Sequence, residues 1–334
     1  MRKGPSGQAH KRPSDRAGKQ KRAATKRAGQ SRDEKGDPKP SAKSPAREDD
    51  QTRMRIAKAI ARAGLCSRRD AERWIGEGRV VVNGETLASP ARDVSPADSV
   101  IVDGRPLPKP EPVRMWRYHK PRGLVTTHRD PQGRPTVFDS LPADLPRVIS
   151  VGRLDYNTEG LLLLTTDGDL ARHIELPATG WLRRYRVRAH GRVSQADLDA
   201  LKDGITIEGA RYGSIEATID SVQGGNCWLT IGLREGKNRE VRKVLDSLGL
   251  KVNRLIRISF GPFQLLNLEA GRAELIKTSA LAEHLGKDLA GRFGLERKTQ
   301  PTAASRVNKR PAPAASGKRR SRRTAPSKPS DRPA

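Results

Sequence analysis

Side chains able to do acid–base or nucleophilic work crowd into one stretch, residues 151–169 (VGRLDYNTEGLLLLTTDGD). Arg153, Asp155, Tyr156, Asn157, Thr158 and Glu159 follow one another there almost without interruption. A carboxylate such as Asp155 can act as a nucleophile, and a guanidinium nearby keeps it ionised. Residues 148–151 form a short apolar run, and the four leucines 161–164, followed by Thr165 and Thr166, suit a buried strand and are too short for a helix. Asp167-Gly168 is a turn signal. Residues 152–160 therefore form a loop carried between two strands, a common place for functional residues. Asp, Asn and Thr are also ordinary loop and capping residues, so residue type alone leaves both readings open.

The rest of the chain must position this loop. Ile56, Ala59, Ile60 and Ala63 recur at helical spacing, with Gly64 as a stop. Ser67 caps a second helix with Asp70 in its first turn and Ala71, Trp74 and Ile75 inside. Strands are expected at 80–82 and 100–102, with Asn83-Gly84 as a hairpin turn. Residues 106–112 (PLPKPEP) read as a stiff linker. Beyond it, strands are expected at 116–119, 183–187, 204–208, 215–219, 227–233 and 252–260. Lys120-Pro121-Arg122-Gly123 reads as a turn. Helices are expected at 170–174, at 196–201 behind the Ser194 cap, after the Gly236 turn as far as Leu245, and at 275–285. Along 183–187, Tyr185 and Val187 share a face.

Composition points to the partner. The 334 residues carry a formal net charge of +28. Residues 1–52 hold 15 Lys and Arg against 7 Asp and Glu, and residues 291–334 hold 13 against 2. The segment between is also basic, so a polyanion, nucleic acid first, is the expected partner. Both ends are rich in Lys, Arg, Ser, Pro and Ala and are expected to be disordered basic tails. Cys66 and Cys227 have no ligand spacing, so neither a disulfide framework nor a zinc site is expected. There is no apolar leader and no run of membrane-spanning length, which points to a cytoplasmic protein without a membrane partner. The His residues are scattered and no GxxxxGK[ST] loop occurs, so no metal and no organic cofactor is expected.

The string Gly152-Arg153-Leu154-Asp155, Thr158-Glu159-Gly160-Leu161-Leu162 and Thr166-Asp167-Gly168 closely resembles the catalytic motif of RNA pseudouridine synthases, in the branch that modifies ribosomal RNA (the RsuA/RluB type). Lys120-Pro121-Arg122-Gly123 resembles the start of that family's catalytic domain, and 234–245 (REGKNREVRKVL) its second signature. The resemblance implies that Asp155 is the nucleophile and that Arg153 helps hold the target uridine out of its stack. It implies that Tyr185 packs on the base and helps remove a proton, and that Arg242 pairs with Asp155 while Arg239 lies nearer the RNA. Leu255 would line the base pocket. For 239–242 a basic helix face that only meets phosphate stays open. Residues 53–104 resemble the small RNA-binding domain named from ribosomal protein S-four, through 55–58 (RIAK), 64–69 (GLCSRR), Gly78-Arg79-Val80 and Val82-Asn83-Gly84. Arg55, Lys58, Ser67, Arg68, Arg69 and Arg79 would then face RNA backbone.

The expected architecture is α+β. A small α/β RNA-binding domain (53–105) and a linker (106–112) precede a catalytic domain (113–290) on a largely antiparallel mixed sheet, flanked by the tails 1–52 and 291–334. The expected activity is isomerisation of uridine to pseudouridine in ribosomal RNA or pre-ribosomal particles, by a monomer, most readily in large-subunit 23S rRNA. Small-subunit 16S rRNA, and a non-catalytic RNA-binding protein of ribosome assembly, are the alternatives. A basic DNA-binding protein would explain the tails but not the motif. Only the enzyme needs Asp155, Tyr185 and Arg242 together.

Overall fold

The computed structural model describes residues 53–296. The expected tail 1–52, and residues 297–334 of the expected tail 291–334, lie outside the described residues. The small domain begins with β1 (Met54–Arg55) and α1 (Ile56–Arg62), followed by α2 (Arg68–Gly76). Ser67 caps α2 as expected, its Oγ accepting the Asp70 amide at 3.1 Å. Short strands follow: β2 (Val80–Val82), β3 (Glu85–Thr86), β4 (Asp93–Val94), β5 (Val100–Val102) and β6 (Arg105–Pro106). They form a sheet in the order β3-β2-β5-β6, while β1 pairs with β4. Asn83 and Gly84 both have positive φ, as the tight β2–β3 turn requires. Ile56, Ile60, Ala71, Ile75, Val80 and Val102 fill the core between helices and sheet. After Pro106 the expected linker holds no regular structure.

The second domain is built on one nine-stranded sheet. Its elements in chain order are β7 (Met115–Lys120), β8 (Ile149–Val151), β9 (Glu159–Thr165), α3 (Gly168–Glu175), β10 (Arg183–His190), α4 (Gln195–Asp199), the hairpin β11 (Ile205–Ile207) and β12 (Ala210–Tyr212), β13 (Ile215–Gln223), β14 (Asn226–Leu233), α5 (Glu240–Ser247), β15 (Lys251–Phe260), β16 (Phe263–Gln264), β17 (Ala273–Leu275), α6 (Thr278–Leu285) and α7 (Lys287–Arg292). The strand order is β13-β14-β10-β15-β9-β7-β17, with β8 also on β9 and β16 on β15; β11 and β12 pair apart from it. Every pairing in the large sheet is antiparallel except β9 with β15. The mixed, largely antiparallel α+β architecture is the one expected.

Strand β9 is central because both of its faces are covered. Leu162 and Leu164 belong to one core with Trp116, Tyr118, Val187 and Leu229. Leu161 and Leu163 belong to the other, with Phe260, Leu170, Ile174 and Leu281. A strand covered on both sides reads as an unbroken apolar run, which is why four leucines stand together. One edge of β9 pairs with β7 along its length. The other edge is shared: β8 takes Leu163–Thr165, and β15 takes Glu159 and Gly160. The loop between β8 and β9 leaves the sheet where one neighbour hands over to the other.

Two expectations need correction at the C-terminal end. The helix expected over 275–285 begins at Thr278, because Leu275 belongs to β17 and pairs with Trp116. The boundary expected at 290 falls inside α7. Phe293 and Leu295 pack into the same core as Leu281 and Leu285, so two apolar side chains carry ordered chain past it.

Candidate active site

The 152–158 loop is held from below by a buried cation. Lys120, at the end of β7, is fully buried, and its ammonium donates to the carbonyls of Pro121 (3.0 Å) and Thr158 (2.9 Å). Burial lowers its pKa to about 8, while the charges of Asp155 and Glu159 pull it back up. Thr126 adds a second anchor, donating to the Leu154 carbonyl at 2.8 Å and accepting the Leu154 amide at 3.3 Å. Gly123 donates its amide to the Tyr156 carbonyl, and the Thr158 amide closes the loop onto the Asp155 carbonyl. Glu159 is taken out of play by a two-bond ion pair with Arg254 (3.1 and 2.9 Å). Asp155 enters no ion pair among the described residues, so its carboxylate stays available beside a cleft.

That cleft, of about 1050 Å³, is lined by Arg153, Asp155 and Tyr156 of the loop, Arg183 and Tyr185 of β10, residues 235–241 before and in α5, and Leu255, Arg257 and Phe260 of β15. Its volume is ample for the base of an extruded nucleotide. Strand register sets Tyr185 opposite Arg257, and Arg257 opposite Gly160. Gly160 has φ +101°, and a Cβ there would run into the backbone of Arg257, so only glycine lets β9 and β15 meet. Two guanidinium groups lie over the Phe260 ring, Arg183 at 4.5 Å and Arg257 at 5.1 Å from the centroid. The terminal nitrogens of Arg183 donate to backbone carbonyls, among them Arg234 (2.5 Å) and Glu175 (3.2 Å), and burial lowers its pKa. Glu240 is buried with one oxygen accepting the Lys237 amide at 2.9 Å; burial raises its carboxyl pKa.

The expected site residues separate into groups. Arg153, Asp155, Tyr185, Arg239 and Leu255 all line the cleft. Arg239 reaches it from a left-handed backbone (φ 51°) at the start of α5. Arg242 does not pair with Asp155: no ion pair joins them, and the guanidinium donates to the carbonyls of Val252 (3.1 Å) and Asn157 (3.2 Å). It therefore reaches the loop through backbone, where it still feels the Asp155 charge. In the small domain Arg68 and Arg69 line a second cleft of about 830 Å³ with Arg129, Arg147 and Arg153. This cleft shares Thr126, Thr127, Gly152, Arg153 and Glu175 with the first. None of those five arginines is in an ion pair among the described residues. Ser67, the cap of α2, lines this cleft too, while the remaining three expected RNA contacts hold acidic partners. Lys58 pairs with Asp169 (2.7 Å), Arg55 with Asp93, and Arg79 with Asp103 while lying over Trp74. Arg62 pairs with Asp167, the N-cap of α3 (3.1 Å), so Lys58 and Arg62 tie α1 to the start of α3.

Sequence reasoning passed over Lys120 and Arg257. Lys120 looks like one residue of a turn, and only the β7–β9 pairing brings its ammonium under the loop. Arg257 sits at an inward position of an apolar strand, and a charged residue there is the one signal that could have marked it. Among the described residues no cluster of His, Cys, Asp and Glu could hold a metal ion, and no helix is long and apolar enough to cross a membrane.

Comparison with known proteins agrees with this geometry. A family model described as RNA pseudouridylate synthase matches residues 114–247, and one described as S4 domain matches residues 54–100. An uncharacterized RNA pseudouridine synthase of Rickettsia felis is 47% identical over 228 residues, covering 68% of this chain and 99% of its own. The ribosomal large subunit pseudouridine synthase B of Pseudomonas aeruginosa is 39% identical over 276 residues, covering 79% of this chain and 71% of its own. A crystal structure of a pseudouridylate synthase is similar with a TM-score of 0.50 and 26% identity, over 69% of this chain and 99% of that one.

Proposed function

The chain belongs to the RNA pseudouridine synthase family, and we propose that it isomerises uridine in ribosomal RNA, in 23S rRNA of the large subunit, with Asp155 as nucleophile. The observation that carries the reading is Asp155 itself: a carboxylate outside any ion pair among the described residues, on an anchored loop, facing a nucleotide-sized cleft that Tyr185 also lines. The relative from Pseudomonas aeruginosa supports the choice of subunit.

In this reaction the bond between uracil N1 and ribose C1′ breaks, the base turns, C5 bonds to C1′, C5 loses its proton and N1 gains one. No electrons are gained or lost overall. The target must leave its stack before a carboxylate set in the cleft can reach it. Arg153, at the junction of the two clefts, supports the extruded nucleotide. Tyr185 packs on the base and takes part in proton removal. Arg242 holds the Asn157 carbonyl and adds positive potential at Asp155. The strand flanking the target runs along the second cleft, where Arg68 and Arg69 of the small domain and Arg129 and Arg147 of the catalytic domain meet phosphates. The α1–α3 ion pairs keep the two domains in register for that strand.

Pseudouridine mapping of ribosomal RNA from cells with and without the gene tests this. One pseudouridine of 23S rRNA should vanish with the gene and return with the wild-type copy. Loss of a 16S position would move the substrate to the small subunit, and unchanged maps of both would overturn a ribosomal target.

A further inference from the structure

Two of the cations lining the catalytic cleft, Arg183 and Arg257, are buried, and of these Arg257 is the one with a buried nitrogen left without a partner among the described residues. It is 3% exposed. Its Nε–H donates to the Leu161 carbonyl at 2.7 Å, and no other hydrogen bond or ion pair involves the guanidinium among the described residues. Nη2 is buried with no partner among the described residues. Leaving such donors unmatched in a protein interior is costly. The neighbouring Arg183, on the same Phe260 ring, shows the contrast: its terminal nitrogens are taken up by carbonyls. The position of Arg257 is over-determined by the Gly160 contact, the Tyr185 register and the Phe260 ring, so the unspent cation is held where it is.

We propose that Arg257 is a catalytic residue that donates to a carbonyl oxygen of the extruded uracil and stabilises the charge the base acquires as its glycosidic bond breaks. This rests on the activity proposed above. A phosphate stays on the strand outside, whereas the base is the part of the nucleotide that enters the cleft, and it brings two carbonyl oxygens. When N1–C1′ breaks, the bonding pair stays with uracil and spreads onto those oxygens. When C5 attacks C1′ a pair returns to the sugar, the C5 proton leaves and N1 takes one up. A fixed, buried guanidinium is suited to the interval between these steps. The role holds whichever atom Asp155 attacks, because either route releases the base with that pair.

The test compares two leaving bases under single-turnover conditions with enzyme in excess, using target RNA that carries uridine or 5-fluorouridine at the modified position. Consumption of the original nucleoside is read by chromatography after nuclease digestion. Fluorine withdraws electrons and does part of what Arg257 does. Arg257→Met should slow uridine conversion by on the order of 100- to 1000-fold, the usual cost of one transition-state donor. It should slow 5-fluorouridine consumption at least tenfold less. Arg257→Lys keeps the charge with fewer donors and should fall between, and it supplies the same comparison if the Met variant does not fold. Equal slowing on both RNAs, or a wild-type rate on uridine, would overturn the proposal. Failure of the wild-type chain to convert uridine would instead overturn the activity on which it rests.

Discussion

Replacing Lys120 by methionine keeps the buried chain length and removes the ammonium under the 152–158 loop. Two effects oppose each other. The variant loses two charge-assisted hydrogen bonds, to Pro121 and Thr158, worth roughly 1.5–3 kcal/mol each. It also escapes the cost of a buried charge, seen in a pKa lowered to about 8 from 10.5, which is about 3 kcal/mol at 1.36 kcal/mol per pH unit. Lys120→Met should therefore fold, within about 2 kcal/mol of wild type at pH 7.5. The sign of the pH dependence follows from the lowered pKa. Between pH 8 and 10.5 the unfolded chain holds a proton on Lys120 that the folded chain has released, so this residue makes stability rise with pH there. The stability of wild type minus that of the variant should grow by about 2 kcal/mol between pH 7.5 and 9.5. Urea unfolding of both proteins at the two pH values reads that gap. Turnover should fall by about 100-fold, because a displacement near 1 Å of a reacting group costs about that much. A constant gap, or full turnover in the variant, would refute the view of Lys120 as the charged anchor of the loop.

Other outcomes follow from the same geometry. Arg242→Ala frees the Asn157 carbonyl and should reduce single-turnover rate far more than RNA affinity; equal losses in rate and in filter-binding affinity would mark it as a phosphate-binding residue. Gly160→Ala places a Cβ against the Arg257 backbone at positive φ, and should cost about 3 kcal/mol or more in urea unfolding. Arg129→Ala with Arg147→Ala should flatten the salt dependence of RNA binding by roughly 0.7–0.9 log unit per log unit of salt for each phosphate no longer neutralised. Titration over several salt concentrations measures this, with turnover at saturating RNA little changed.

What could be read from the sequence was mostly local. Four leucines bounded by polar segments mark β9, the Ser67 and Ser194 caps mark helix starts, and Asn83-Gly84 marks a hairpin. Each signal depends on neighbours within a few residues. The resemblance placed Asp155 and Tyr185, and both line the cleft. The misses come from pairings distant in sequence. Lys120 meets Thr158 only because β7 and β9 pair. Arg257 reaches the cleft through the lone parallel pairing of the large sheet. Lys58 looks like a free basic residue on a helix until α3 brings Asp169 to it. Arg242 has the right charge and the right neighbourhood, but its two terminal nitrogens go to the carbonyls of Val252 and Asn157 rather than to Asp155. Leu275 shows the same limit in the fold: its helical surroundings are overruled by pairing with Trp116.

The central claim is that the Asp155 carboxylate isomerises uridine in this cleft, and Asp155→Asn tests it most directly. The substitution keeps size and hydrogen-bonding capacity and removes the negative charge. Wild type and variant should bind a 23S rRNA transcript with the same affinity and unfold at the same urea concentration. In single turnover with enzyme in excess, wild type should form pseudouridine and Asp155→Asn none. Substantial pseudouridine from the purified variant would contradict the account.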